Sequence, residues 1–371
     1  MTIPISTRTL AGRATPDGTA RLRQRFAHLD QGFFRRALGL DLSSIGLGTY
    51  LGEPDAETDR AYGEAIRLAL TLGCNVLDTA INYRGQYSER VIGRALGDLV
   101  AEGVVSRDEI VVCTKGGFLS FDGQPADAKQ WVKETFIDPG IIGWTDIVAY
   151  NVMHPRYIRH QLETSLRNLG LETIDVYYLH NPESQLQGVP RPQFMERMTA
   201  CMQELERAVA EGLVGAYGAA TWDGFRADPS KPSALSLDEL VGAARAAGGD
   251  NHHFRVIQLP FNLGMLEAFG KATQIVGEDR MPTLQAAARL GVTAFASGSL
   301  LQGRLTRLPP ALAAMIPDAD SDAQRALQFA RSAPGLASAL VGMKSADHVR
   351  HNLALAARPP LSAAEFAALF Q

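Results

Sequence analysis

Asp78 closes the short apolar run Asn75-Val76-Leu77, and Tyr83 follows five residues later in a polar loop. A strand that delivers the acid at its C-terminal tip and then turns would hold the phenol in the mouth above that strand. Two further apolar runs end in reactive groups: Val111-Val112-Cys113-Thr114-Lys115 in an amine, and Asp175-Val176-Tyr177-Tyr178-Leu179-His180 in an imidazole. Reduction of a carbonyl needs these parts. A tyrosine is too weak an acid at neutral pH unless a nearby cation favours the phenolate. Lys115 would supply that charge, Asp78 would hold the lysine, and a neutral His180 would hydrogen-bond and orient the carbonyl. Each residue also has a plain structural reading: a turn-capping aspartate, a loop aromatic, a snorkelling lysine, a satisfied histidine at a rim. The complementarity of the four is what points to chemistry.

The elements that must position them alternate. Ser44–Thr49 reads as the first strand. A helix follows from about Glu57 to Leu72, with Ala61, Ala65, Leu68 and Leu72 on one face and Gly73 stopping it. Further strands are expected at 75–77, 110–114, 174–179, 214–219, 254–259, 292–296 and 339–341. The expected helices start near Ser88, Pro155, Phe194, Leu237, Thr283, Ala323 and Ser345. The strands are nearly continuous apolar runs, as in a parallel sheet buried on both faces. Alternation of this kind gives either an open doubly wound sheet or a closed barrel; eight such units with no second composition regime predict the closed (β/α)8 TIM barrel, in which chemistry sits at the C-terminal strand ends.

Two segments fall outside that rhythm. Residues 1–33 are polar and are expected to form an extension that caps one end of the barrel, with a hairpin around Pro16-Asp17-Gly18. The barrel domain proper is assigned to 34–371, with a short closing helix from Ser362 to Phe370. The loop 117–154 after the third strand carries Phe118, Phe121, Trp131, Phe136, Trp144 and Tyr150. An aromatic insertion of that length is expected to cover a ligand site; the alternative is packing on the barrel exterior.

Composition sets the outer bounds. The chain has 371 residues, 46% hydrophobic and 20% charged, with a formal net charge of −4. That suits a large core and gives no pull toward nucleic acid or an anionic membrane. Cys74, Cys113 and Cys201 are too scattered for a metal site and odd in number for a disulfide framework. With no apolar leader in the first residues and no run near the ~18 apolar residues of a membrane span, the expected location is the cytoplasm. Gly46-Leu47-Gly48 resembles the start of a dinucleotide glycine motif, but Gly52 falls one position late and no helix opens there. Cys113 shares a strand side with Lys115 and reads as a core thiol.

The ordered motifs Gly46-Leu47-Gly48-Thr49-Tyr50, Asp78-Thr79-Ala80 with Tyr83, Thr114-Lys115, Tyr178-Leu179-His180-Asn181-Pro182 and Gly342-Met343-Lys344-Ser345 resemble the aldo-keto reductase superfamily. They span roughly residues 38–356. The resemblance implies Asp78, Tyr83, Lys115 and His180 as the catalytic group, with Tyr83 the general acid. It implies NADP(H), rather than NAD(H), lying across the barrel mouth, no metal, and a small carbonyl or alcohol as the substrate. Gly48, Thr49 and Tyr50 would line the cofactor, together with Asp78. Thr221 and Gln258 would hold the nicotinamide amide, and Phe295 would stack on the ring. Ser297, Ser299 and Leu300 would pass over the pyrophosphate. Gly342, Lys344, Ser345, His348 and Asn352 would hold the adenosine phosphate end, with His351 beside them.

This sequence departs from the family in two places. Ala220-Thr221 stands where Ser-Asn or Ser-Arg is usual, and His348 and His351 replace the customary Gln and Glu. Lys344 with two histidines could still meet a 2′-phosphate. A second functional class shares the resemblance: nicotinamide-binding regulatory proteins such as the potassium-channel beta subunits. Those depart at the histidine position, whereas His180 is retained here. A third, an unrelated barrel chemistry such as isomerisation, is what the fold alone would permit.

Overall fold

The computed structural model describes residues 9–316 and 318–370. Eight parallel strands close into a barrel: Ile45–Gly48, Val76–Asp78, Val111–Gly116, Ile174–His180, Val214–Ala220, Phe254–Pro260, Thr293–Ser297 and Leu336–Gly342. They pair in chain order, and the eighth closes on the first through Leu340↔Gly46 and Val341↔Leu47. The predicted barrel is therefore the observed one. The strands are buried along almost their whole length because helices cover them outside and side chains fill the interior.

Local chemistry explains the helix ends that matter. Pro155–Leu169 starts with a proline at its first position and ends at Gly170, whose left-handed φ of 60° lets the chain turn back into the next strand. Its predicted face, Ile158, Leu162, Leu166 and Leu169, is buried as expected. In Ala56–Thr71 the buried face is instead Tyr62, Ala65, Ile66, Ala69 and Leu70. Of the four residues expected inward there, only Ala65 is fully buried, because the aromatic Tyr62 offers more apolar surface than Ala61.

The N-terminal segment differs from expectation. Residues 1–8 lie outside the described residues. Pro16-Asp17-Gly18 opens a helix, Pro16–Arg25, rather than a hairpin: Thr15 caps it by accepting the Gly18 N–H, and proline occupies the first turn. Proline at that position presets the helical φ, so the same residue that suggests a turn also starts a helix. The hairpin lies further on, pairing Phe34–Ala37 with Leu40–Ser43. Leu40 and Leu42 from it reach the interior cluster of Val76, Val111, Val176 and Val256 and plug the barrel from the end opposite the mouth. The segment before it is tied on by Ala14 N–H to Asp175 Oδ1 at 2.7 Å, the same carboxylate that pairs with Arg107.

The insertion after the third barrel strand is largely ordered against the outside. Trp131, Phe136 and Phe121 form a small aromatic core with Tyr157 from the Pro155–Leu169 helix. Trp144 and Tyr150 are exposed. Only Phe118 reaches the barrel mouth. Apolar rings in a long loop gain most by burying one another on the nearest helix, so the exterior reading holds for most of this segment. A second small hairpin, Gln274–Val276 with Asp279–Met281, was not anticipated from the sequence.

Candidate active site

The second barrel strand ends at Asp78 and the third carries Lys115 in the pair Asp78↔Cys113, two residues below it. That offset sends the long lysine side chain across to the acid. Lys115 Nζ lies 2.7 Å from Asp78 Oδ2 and 2.7 Å from the Thr79 carbonyl, in a position that is 1% exposed. Gln258, from the sixth strand, donates to the other carboxylate oxygen at 2.7 Å. Both oxygens of Asp78 are thus fixed by neighbours from opposite sides of the barrel.

Tyr83 lies above this pair, with the Lys115 ammonium 5.1 Å from its ring centroid. The ring meets Tyr50 edge-on at 5.0 Å and His180 at 5.9 Å. His180, at the tip of the fourth strand, is flanked on its other side by Phe118 at 5.0 Å and 90°. Its backbone carbonyl accepts from Asn151 Nδ2 at 2.8 Å, which ties the strand tip to the insertion. The four residues read from the sequence as a chemical set are therefore brought together.

Electrostatics differ from the simple expectation at one point. Burial drives the Tyr83 phenol above its ordinary pKa, and the opposing pull of Lys115 only partly offsets it. Burial would lower Lys115, but Asp78 and Tyr83 outweigh it and the ammonium is held above its usual value. Burial, reinforced by Lys115, depresses His180 well below the usual histidine range, so the imidazole is neutral at physiological pH. Its Nδ1 has no hydrogen-bond partner among the described residues.

Asp78, Tyr83 and His180 form one wall of a cavity of about 480 Å³ at the C-terminal strand ends, with Lys115 buried behind them. Of the residues expected to bind a cofactor, Gly48, Thr49, Tyr50, Asp78, Thr221, Gln258, Ser297, Ser299, Leu300 and Gly342 line it. Phe295 does not. It is fully buried in the barrel interior with Val256, Tyr178 and Leu340, opposite Gln258 in register. Strand alternation explains the correction: Ser297, two residues on, is the next residue turned to the same side, and it is the one at cavity height. Lys344, Ser345, His348 and Asn352 lie just beyond the rim, on the turn and helix that follow Gly342. Ser345 caps that helix, Lys344 and His348 are exposed, and Asn352 is buried. His351 is turned to Ser321, 2.6 Å away.

Several cavity residues escaped the sequence reading. Asn82, Asn181 and Trp222 directly follow or precede residues that were identified, and adjacency was the available signal. Gln302 and Gly303 carried none. Trp222 is held by Glu183, a buried carboxylate that accepts the N–H groups of Trp222, Asp223 and Gly224 at 2.8, 3.2 and 3.3 Å.

The cavity fits a dinucleotide on its own terms. The Thr221 hydroxyl is buried in its wall without a partner among the described residues. The N–H groups of Ser299 and Leu300 bond to no described residue, and such free amides suit phosphate oxygens. No cluster of metal-ligating side chains occurs among the described residues.

Comparison with known proteins points the same way. The model of the aldo/keto reductase family matches residues 44–227, a span that includes Asp78, Tyr83, Lys115 and His180. The chain belongs to the aldo-keto reductase superfamily. It is 30% identical over 189 residues to an NADH-specific methylglyoxal reductase of Escherichia coli, covering 50% of each chain. It is 27% identical over 193 residues to aldose reductase B of Dictyostelium discoideum, covering 48% of this chain and 50% of that protein. The match thus spans about half the length of these relatives. Among solved structures, an aldo/keto reductase from Klebsiella pneumoniae in complex with NADP and acetate superposes with a TM-score of 0.59 at 22% identity, over 92% of this chain and 94% of that one. A glycerol dehydrogenase from Gluconobacter oxydans gives 0.61 at 20%, over 92% and 95%. At these identities the structural likeness speaks for the fold.

Proposed function

We propose that this aldo-keto reductase is an NADP(H)-dependent oxidoreductase that reduces an aldehyde or ketone to an alcohol, reversibly. The observation that carries the reading is the Lys115–Asp78 pair at 2.7 Å beneath the Tyr83 ring, with His180 across the mouth. The dinucleotide, when bound, supplies the hydride. Tyr83 gives its phenolic proton to the carbonyl oxygen. The Lys115 ammonium then faces the phenolate, and its attraction is strong because the lysine is buried away from water. Asp78, locked by Lys115 and Gln258, keeps the ammonium in place and charged. Neutral His180 hydrogen-bonds the carbonyl oxygen without competing to protonate it. The raised pKa of free Tyr83 keeps the donor protonated over the whole neutral range.

Thr221 and Gln258 would hold the nicotinamide amide, and Ser297, Ser299 and Leu300 would take the pyrophosphate. Lys344, exposed and in no ion pair among the described residues, would meet a 2′-phosphate. That favours NADPH, as do relatives whose solved structures are described as NADP and NADPH complexes. The E. coli relative named as NADH-specific supports the other preference, and Lys344 is where the two separate.

Fluorescence titration with NADPH and NADH, followed by turnover of an aromatic aldehyde by wild type and Tyr83→Phe, tests the proposal. NADPH binding with Tyr83-dependent oxidation is expected. Binding without turnover across a carbonyl panel would favour the regulatory class instead. Absence of binding would refute the reading.

A further inference from the structure

Immediately after Tyr83 the chain enters a conformation that L-residues rarely adopt. Arg84, Gly85 and Gln86 are all left-handed, with φ of 51°, 57° and 73°. One such residue is common at a turn; three in succession, two of them with side chains, is a strained segment held in place by its surroundings. The strain sits next to the proposed proton donor.

Each of the three residues has its own anchor, and the anchors come from different elements. Arg84 is buried, donating from Nε and Nη2 to the Glu53 carbonyl at 2.9 and 2.7 Å and from Nη2 to Asp59 Oδ1 at 2.6 Å, with Tyr62 stacked 5.3 Å away. Its ion pair with Asp59 is almost wholly removed from solvent, at 1% and 7% side-chain exposure. Gly85 accepts the Gly123 N–H at 3.0 Å, and a Cβ there would come within 2.5 Å of the Gly123 carbonyl oxygen. Gln86 donates to the Phe121 carbonyl at 3.2 Å and accepts from Asn168 at 2.9 Å. The helix Ala56–Thr71, the insertion and the helix Pro155–Leu169 together grip one turn.

We propose that Arg84, through its buried pair with Asp59, is a positioning residue for the proton donor: the pair holds the left-handed turn in register so that the Tyr83 ring stays over Lys115. Arg84 touches neither cavity nor reacting atoms and acts only through its neighbour. A guanidinium suits this work because two nitrogens of its rigid planar fork, Nε and Nη2, converge on the Glu53 carbonyl while Nη2 also takes the Asp59 carboxylate, an orientation that a single ammonium does not fix. The inference rests on the carbonyl-reductase reading for its kinetic consequence, but not for its geometric one.

The test uses Arg84→Gly, which keeps the left-handed backbone accessible while deleting the clamp, and the double variant Arg84→Gly/Asp59→Asn, which also removes the buried acid left behind. Two quantities are read. The first is the ionisation of Tyr83 alone, from ultraviolet difference titration of each background against its own Tyr83→Phe counterpart, in the absence of cofactor. The second is kcat and KM for a reactive aldehyde, with NADPH affinity measured separately. Both variants are expected to shift the Tyr83 titration to lower pH, because burial outweighs the opposing pull of Lys115 in setting it and a released ring loses both. The kcat is expected to fall at least tenfold while NADPH affinity stays within threefold. An unchanged Tyr83 titration in the double variant overturns the proposal. So does a loss of NADPH affinity in step with kcat, which would mean general collapse of the mouth. A wild type that turns over no carbonyl refutes the functional reading alone, since the titration still decides the role of Arg84.

Discussion

Replacing Lys115 with methionine removes a cation that is 1% exposed and stands 2.7 Å from Asp78 Oδ2. Methionine has nearly the same length and volume, so the change is mainly one of charge. At that distance and an effective dielectric near 20 the attraction is about 6 kcal/mol, and desolvation of the two ions cancels part of it. What the single variant loses is set by the partner left behind: among the described residues the Asp78 carboxylate keeps only the Gln258 amide on Oδ1, and an uncompensated buried carboxylate costs about 3–5 kcal/mol. The raised Lys115 pKa means that this stabilisation is fully present below the ordinary lysine value of about 10.4 and is lost only as pH rises through the higher folded value. Urea unfolding at pH 7 therefore sees all of it. The expected result is a single variant destabilised by about 3–5 kcal/mol and a double variant, Lys115→Met/Asp78→Asn, that regains all but about 1 kcal/mol because neither ion remains. Both variants should be inactive, by about 10²–10⁴-fold or more, because no cation faces the phenolate. Stability of the single variant within 1 kcal/mol of wild type, or a double variant no better than the single, would refute the reasoning.

His180 is depressed well below its unfolded value, so its contribution to stability is present above about pH 6.5 and is lost as pH falls below that. His180→Gln should therefore flatten the acid limb of a stability–pH curve, and an unchanged slope would contradict the burial argument. Lys344→Ala should weaken NADPH at least tenfold more than NADH in fluorescence titration; equal losses would remove Lys344 from the 2′-phosphate. Phe118→Ala opens the mouth on the His180 side and should raise aldehyde KM several-fold with NADPH affinity unchanged; a kcat loss at constant KM would show that the ring only supports His180. Cys113, whose thiol burial pushes well above its usual pKa, should resist alkylation in the native state until urea unfolds the chain, as a timed labelling experiment would show.

Sequence reasoning succeeded where a local pattern carried the constraint. Apolar runs bounded by glycines and prolines located all eight barrel strands, because a strand buried on both faces must be written as a continuous apolar run. It misjudged the segment at Pro16, which starts a helix as readily as a turn. It was silent on Arg84 and Gln86, whose own chemistry gives no hint that they are left-handed. Phe295 failed for a different reason: the strand was found, but a shift of two residues along it separates interior from cavity, and depth in a barrel depends on the stagger of the neighbouring strands.

What the sequence determined by itself was the inventory and its order: an acid, a phenol, an amine and an imidazole, each at or just past the end of an apolar run, in a chain whose alternation calls for a parallel sheet and whose eight units favour a closed one. What only the tertiary structure decided was which of these groups touch and how they are charged. The 2.7 Å contact between Lys115 and Asp78 joins residues 37 apart, and the Gln258 bond to the same acid joins residues 180 apart. Burial, which raises Tyr83 and depresses His180, is a property of everything packed around them. No local window of sequence contains it.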